Sequence, residues 1–492
     1  MSTARRAESD SKRPSADTRP NILLIVVDQM RGDCLSLEGH LSLLTPNLDE
    51  IGGTGAHFSR AYTTCASSIA ARRSLLTGQY PSTNGVVGFH GGCAIRSATL
   101  PGLLHGTGYD TALVGRNMHQ YPDDEAYGYE TRILGSTYLE DDDYARTLEA
   151  HAPGSGGVKG HGVSFNGWTA KPWHLAEHLH PTNWTVDRSR GLLRERDETR
   201  PLFLTTSFYA PHPPLIPPAF YLDRYLRVDL PPVSIGTWAS CPDHEGIGVG
   251  IDSARTVLRG EALRCAQAGY FGLINHIDDQ LYWLISDFKV KSHQASRPWV
   301  VVFTSDHGEM LGDHYYFRKC EPYEGSARVP LLIQGSSDLG FQSHLACSGP
   351  VCLEDIMPTL LEAAGAELPA PIDGESLLPV LRGERGPLRS WLHAEHARCY
   401  SAEQAYHSLT DGRAKYIWRP HAGAEQLFDL REDPQELTDL ATHSDHRKQL
   451  EQWRARLIER LTGRPEGFTD GERLIPGRLY LGVLPHATGL NA

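Results

Sequence analysis

The chain has 492 residues, 40% of them hydrophobic, and its 47 basic and 60 acidic side chains leave a formal charge of -13. That length accommodates at least one large core and suggests two to four domains. The acid excess excludes a general polyanion or nucleic-acid binder, so an anionic ligand needs a local cationic pocket.

Residues 1–19 are rich in Ser, Arg, Asp and Ala, lack the apolar core of a secretory signal, and are expected to form a disordered tail. No stretch approaches the roughly 18 apolar residues of a membrane span. The expectation is therefore a cytoplasmic protein with no membrane partner. Residues 21–27 (NILLIVV) form an unbroken apolar run ending on Asp28, the pattern of a strand buried on both faces. Similar runs at 111–114, 202–208, 299–304 and 329–333 alternate with helical spacing such as that of 262–288. Alternation of this kind predicts an α/β domain with helices on both faces of a large, mostly parallel sheet. From residue 388 the pattern changes to short alternating segments (405–409, 416–419, 426–430) and a charged helix at 445–461. The domain reading is a catalytic domain over 20–387 and a smaller α+β C-terminal subdomain over 388–492. Nine cysteines at irregular spacings, with no CxxC pair, predict buried reduced thiols rather than a disulfide framework or a zinc site.

Open α/β sheets collect reactive groups at the carboxyl ends of their strands. Asp28, residues 209–212, and Asp306 with His307 all end apolar runs, which places them on one rim. Ser68 is expected at a helix N-cap, where free N–H groups and the helix dipole favour an oxyanion, with Arg72 one turn further on. Taken alone, a plain Ser cap with a solvated Arg accounts for this fragment as well.

The longer stretch Ser68-Ile-Ala-Ala-Arg-Arg-Ser-Leu-Leu-Thr-Gly78, preceded by Ala61-Tyr-Thr-Thr64, resembles the signature of the sulfatase family. There Cys or Ser is followed at +2 by Pro or Ala and at +4 by Arg, then by Leu-Thr-Gly; Cys65 is out of register. Thr304-Ser-Asp-His-Gly-Glu-Met-Leu-Gly-Asp-His314 also resembles the family, as do Thr45-Pro-Asn-Leu-Asp49, His276-Ile-Asp-Asp-Gln280 and Gln426-Leu-Phe-Asp-Leu430. The similarity runs from Pro20 to about Leu440.

The resemblance implies an alkaline phosphatase-like sandwich and a sulfate ester hydrolase in which Ser68 is oxidised to formylglycine. The Ser parent with Ala70 is similar to the subset matured by a radical-type sulfatase-maturing enzyme. It also implies one divalent metal held by Asp28, Gln29, Ser68, Asp306 and His307. Oxygen-rich ligands favour Ca2+, with Mg2+ or Mn2+ as alternatives. The catalytic set carried over is Ser68, Arg72, Lys319 on the sulfate, His212 as acid to the leaving alcohol and His119 as base, with Arg116 in a lysine place. Glu395, His396, Tyr400, His407 and Trp418 are candidate contacts to the organic part of a sulfated small molecule or saccharide, and equally packing residues. Two rivals stand beside this reading. One is a phosphonate monoester hydrolase or phosphodiesterase, and the other a non-catalytic binder of sulfated ligands.

Overall fold

A computed structural model describes residues 17–135, 141–242 and 253–488. Most of the expected tail, residues 1–16, lies outside the described residues; Asp17 is held by Arg19 and Arg297. The strands in chain order are β1 (Asn21–Asp28), β2 (Ala56–Phe58), β3 (Ala61–Tyr62), β4 (Asp110–Gly115), β5 (Thr131–Leu134), β6 (Leu202–Pro211), β7 (Trp299–Ser305), β8 (Leu331–Gly335), β9 (Leu345–Cys347), β10 (Val351–Cys352), β11 (Leu392–His396), β12 (Tyr406–Thr410), β13 (Ala414–Arg419) and β14 (Ala424–Asp429).

Eight of them form the central sheet in the order β5-β4-β6-β1-β7-β8-β2-β9. Neighbours from β5 to β7 are parallel, whereas β8 runs antiparallel to both β7 and β2. The run at 329–333 thus marked a real strand but not its direction, because an apolar segment buries equally well either way. β1 is buried along its whole length. Its side chains alternate between two cores: Leu23, Ile25 and Val27 meet the helices Pro181–Glu195 and Gly260–Gln294, while Ile22, Leu24 and Val26 meet Ser68–Thr77, Leu100–Gly106 and Ile356–Ala363. A strand with no polar face must be covered on both sides, and the sandwich follows from that. The helix predicted over 262–288 extends over Gly260–Gln294.

β11 to β14 form an antiparallel meander. One face carries the helix Arg447–Leu461 through Leu450, Trp453 and Leu457, and the other sets Tyr406, Ile417 and Phe428 against Met310 and Tyr323 from the segment between β7 and β8. β11, whose apolar positions are only Leu392 and Ala394, adds a strand to those expected from the sequence. Among the described residues no helix is long and apolar enough to cross a membrane.

Candidate active site

The carboxyl ends of β1, β6 and β7 lie side by side, and main-chain bonds fix their register. The His212 N–H donates to the Asp28 carbonyl (3.0 Å) and the Asp306 N–H to that of Val27 (3.3 Å). Gly115 ends β4 at φ 98°, and a Cβ there would stand 2.1 Å from the Ser207 carbonyl oxygen, so only glycine permits the turn that presents Arg116. Opposite this rim stands the buried start of the helix Ser68–Thr77. Ser67, in extended conformation, is its N-cap, and Ser68 is its first helical residue, one position further in than expected.

Ser68 Oγ lies 2.9 Å from His307 Nε2 and 3.3 Å from Asp28 Oδ1. His307 Nδ1 sits 2.9 Å from the Gly308 carbonyl, which can only accept, so the proton of the neutral ring is on Nδ1. Its Nε2 lone pair therefore faces Ser68 Oγ, with Asp28 Oδ1 at 3.6 Å and Asp306 Oδ1 at 3.7 Å. Three buried electron-pair donors converge there within 4.8 Å of one another, a mixed carboxylate and imidazole set that can hold a cation. The residues present thus fit a divalent metal. Gln29 does not join them through its side chain. Its Oε1 accepts from Lys319 Nζ (3.1 Å) and its Nε2 donates to Glu309, while its main-chain N–H donates to Asp306 Oδ1.

Cations surround the carboxylates. Arg72, fully buried, donates from Nε to Asp306 Oδ2 (2.8 Å) and from Nη1 to Ser207 Oγ (2.8 Å). Arg116 Nη2 is 2.8 Å from Asp28 Oδ2 and 3.1 Å from His119 Nε2. Burial pushes the Asp28 carboxyl up, but Arg116, Lys319 and Arg72 outweigh it and hold the group below the ordinary carboxylate range. Asp306 is likewise held low against burial and the charge of Asp28, by His307 and Arg72. Both histidines meant for proton transfer are pushed well down, His119 by burial and Arg116, His212 by burial and Lys319. His212 Nδ1 lies 2.7 Å from the Pro213 carbonyl, and its buried Nε2 has no hydrogen-bond partner among the described residues.

The structure brings Ser68, Arg72, Arg116, His119, Asp28, Gln29, Asp306, His307 and Lys319 into one contact network, with His212 tied to it through the Asp28 main chain. It separates the specificity candidates. Glu395 is buried on Arg464 (2.7 Å) and Tyr480, and His407 lies 3.1 Å from His393 and stacks on Tyr480; Trp418 is in the same core. These are packing positions. His396 is buried, and its Nε2 has no hydrogen-bond partner among the described residues. Tyr400 is 42% exposed beneath the Arg318 guanidinium. The aromatic recess behind His212, walled by Phe165, Trp173 and Tyr209, has room for about one water at ≈ 20 Å³, too little for an organic group. Sequence reasoning missed Glu309 and Ser207. Glu309 lay unassigned inside the 304–314 segment, and Ser207 is hidden in the apolar run of β6.

Residues 20–366 match the Sulfatase family, and residues 312–463 match a C-terminal region described as that of N-sulphoglucosamine sulphohydrolase. An arylsulfatase of Clostridium perfringens is 38% identical over 486 residues, covering 93% of this chain and 98% of that protein. A choline-sulfatase of Rhizobium meliloti is 31% identical over 448 residues, covering 86% and 82%. The crystal structure of a phosphonate monoester hydrolase of Agrobacterium radiobacter superposes with a TM-score of 0.76 at 27% identity, covering 90% of this chain and 95% of that one.

Proposed function

This chain belongs to the sulfatase family and is a sulfate ester hydrolase, and from that premise we propose that it acts through a formylglycine formed at Ser68, with a divalent metal held by Asp28, Asp306 and His307. The observation that carries the reading is the convergence of Ser68 Oγ with the His307 Nε2 lone pair and two buried carboxylates.

As its hydrate, formylglycine supplies two hydroxyls on one carbon, one to attack sulfur and one whose deprotonation expels sulfate. The metal supplies Lewis-acid polarisation of oxygen at this point. Two carboxylates and an imidazole, with the Gln29 carbonyl turned to Lys319, suit Mn2+ better than Ca2+, which takes six to eight oxygens. Arg72 holds Asp306 in place through Nε, and Lys319 directs its ammonium to the sulfuryl oxygens, electrostatic help built before substrate arrives. His119, kept neutral beside Arg116, takes the proton that releases sulfate. His212 protonates the leaving alcohol. Its Nδ1 faces the Pro213 carbonyl, and the anionic ester, whose charge offsets that of Lys319, draws a proton from solvent onto Nε2 as it binds. Tyr400 and His396 are the remaining candidates for the organic group, a sulfated small molecule or saccharide.

The test is mass spectrometry of the peptide carrying residue 68 after co-expression with a radical-type maturing enzyme, combined with rates on matched aryl sulfate, phosphate and phosphonate esters. Loss of two hydrogens at Ser68 with sulfate release in step supports the reading. An unmodified serine with hydrolysis only at phosphorus refutes it in favour of a phosphonate monoester hydrolase, a second reading supported by the similarity to the Agrobacterium enzyme.

A further inference from the structure

Two cysteines meet where the larger domain touches the C-terminal subdomain. Cys320 directly follows Lys319 in the segment between β7 and β8, is fully buried, and donates its N–H to the carbonyl of Ala66, two residues before Ser68 (2.9 Å). Cys399 stands in the loop after β11 and is partly exposed. Their sulfurs are 3.0 Å apart, closer than unbonded sulfurs ordinarily rest. Cations flank the pair: Lys319 adjoins Cys320, and the Arg318 guanidinium lies 4.4 Å from the centre of the Tyr400 ring, next to Cys399.

We propose that Cys320 and Cys399 form a reversible disulfide that staples the Lys319 segment to the C-terminal subdomain. The geometry assigns the two sulfurs different parts. Cys399 is the one that solvent reaches, and its thiol is held below its ordinary value by the hydrogen bond from Cys320 and by Lys319 and Arg318. The Cys320 thiol is pushed up by burial, so it stays protonated until a partner arrives. An accessible thiol made more acidic by its neighbours beside a buried thiol is the pairing of an attacking and a resolving cysteine.

With a small-molecule disulfide such as oxidised glutathione as oxidant, the Cys399 thiolate attacks one of its sulfurs. The oxidant's S–S bond breaks and one glutathione thiolate departs. Cys320 then gives its proton to solvent and attacks the Cys399 sulfur of the mixed disulfide, expelling the second glutathione. Two protein thiols become one disulfide, and one oxidant disulfide becomes two thiols. The new bond joins residues far apart in sequence and ties down the main chain next to Lys319.

The experiment equilibrates the full chain with mixtures of reduced and oxidised glutathione, quenches by alkylation and maps the peptides. A peptide linking 320 to 399 is expected to accumulate, with the chain lighter by two hydrogens, a higher unfolding temperature, and reversal by dithiothreitol. Cys241 is exposed, so it serves as the control for accessibility alone and should carry at most glutathione. The Cys320→Ser variant should stall with glutathione on Cys399, and Cys399→Ser should show an unfolding temperature indifferent to redox. No 320–399 peptide at the oxidising end, or glutathione left unresolved on Cys399 of the parent chain, overturns the proposal. The readout is the linkage itself, so it stands or fails separately from the modification of Ser68 and from turnover.

Discussion

Arg116 serves two acceptors with one nitrogen, and the consequence of changing it can be worked out from the distances. Nη2 stands 2.8 Å from Asp28 Oδ2 and 3.1 Å from His119 Nε2, in a side chain with no exposed surface. Arg116→Lys keeps the charge but replaces a rigid planar fork with a shorter-reaching ammonium, which can hold one of these contacts and not both. A hydrogen bond to a charged group is worth about 1.5–3 kcal/mol, so kcat/KM should fall by about 10- to 150-fold. Arg116→Met removes the charge as well and leaves a buried carboxylate short of its partner. That costs about 3–5 kcal/mol, divided between activity and unfolding temperature. The assay is initial-rate kinetics on 4-nitrophenyl sulfate, with thermal unfolding followed in parallel. The loss in the Lys variant should fall mainly on kcat, because Arg116 faces Asp28 and His119 rather than the substrate's organic part. A Lys variant within about twofold of the parent, or Lys and Met variants of equal activity and stability, would refute the reasoning.

Glu309 accepts the N–H groups of Leu311 and Arg318 and the Gln29 amide. Glu309→Gln sets an amide donor against that of Gln29, so the Gln29 carbonyl should turn away from Lys319 and raise KM about tenfold, roughly 1.4 kcal/mol, with kcat less affected. Asp306→Asn removes a carboxylate of the proposed metal site; elemental analysis should show less bound divalent metal, and added Mn2+ should no longer raise the unfolding temperature. Equal metal content in parent and variant would count against the assigned site. Glu354 is buried against Thr64, and burial pushes its carboxyl from an ordinary value of 4.5 up to about 7. The folded state then holds the proton more tightly than the unfolded one, so this group's contribution to stability declines as pH rises from about 4.5 to about 7 and stays low above that. Glu354→Gln should remove the slope, changing the stability difference from the parent by roughly 3 kcal/mol between pH values of about 5 and about 8 in urea unfolding. A difference independent of pH would sink the assignment.

What could be read without coordinates was local. The run at 21–27 has no polar face, so it had to be a strand covered on both sides, and its first ionisable residue, Asp28, had to emerge at the end of it. The same logic put Asp306 and His307 at the end of β7. The spacing of Ser68 and Arg72 put both on one end of a helix, to within the single position that separates Ser67 from Ser68 at the cap. What the sequence left open depends on which distant segments meet. Whether Gln29 faces a metal or Lys319 is decided by Glu309, 280 positions away. Glu395 and His407 have the residue types of a binding site, and only the arrival of Arg464 and Tyr480 turns them into packing. The direction of β8 follows from where the chain re-enters the sheet, not from its composition. Cys320 and Cys399 look unrelated in a list of nine irregularly spaced thiols and become a pair because the C-terminal meander docks on Met310 and Tyr323. Periodicity and strand ends record how each segment is buried by its own side chains, whereas the partner of a polar group is set by chain closure over tens to hundreds of residues, which no local pattern encodes.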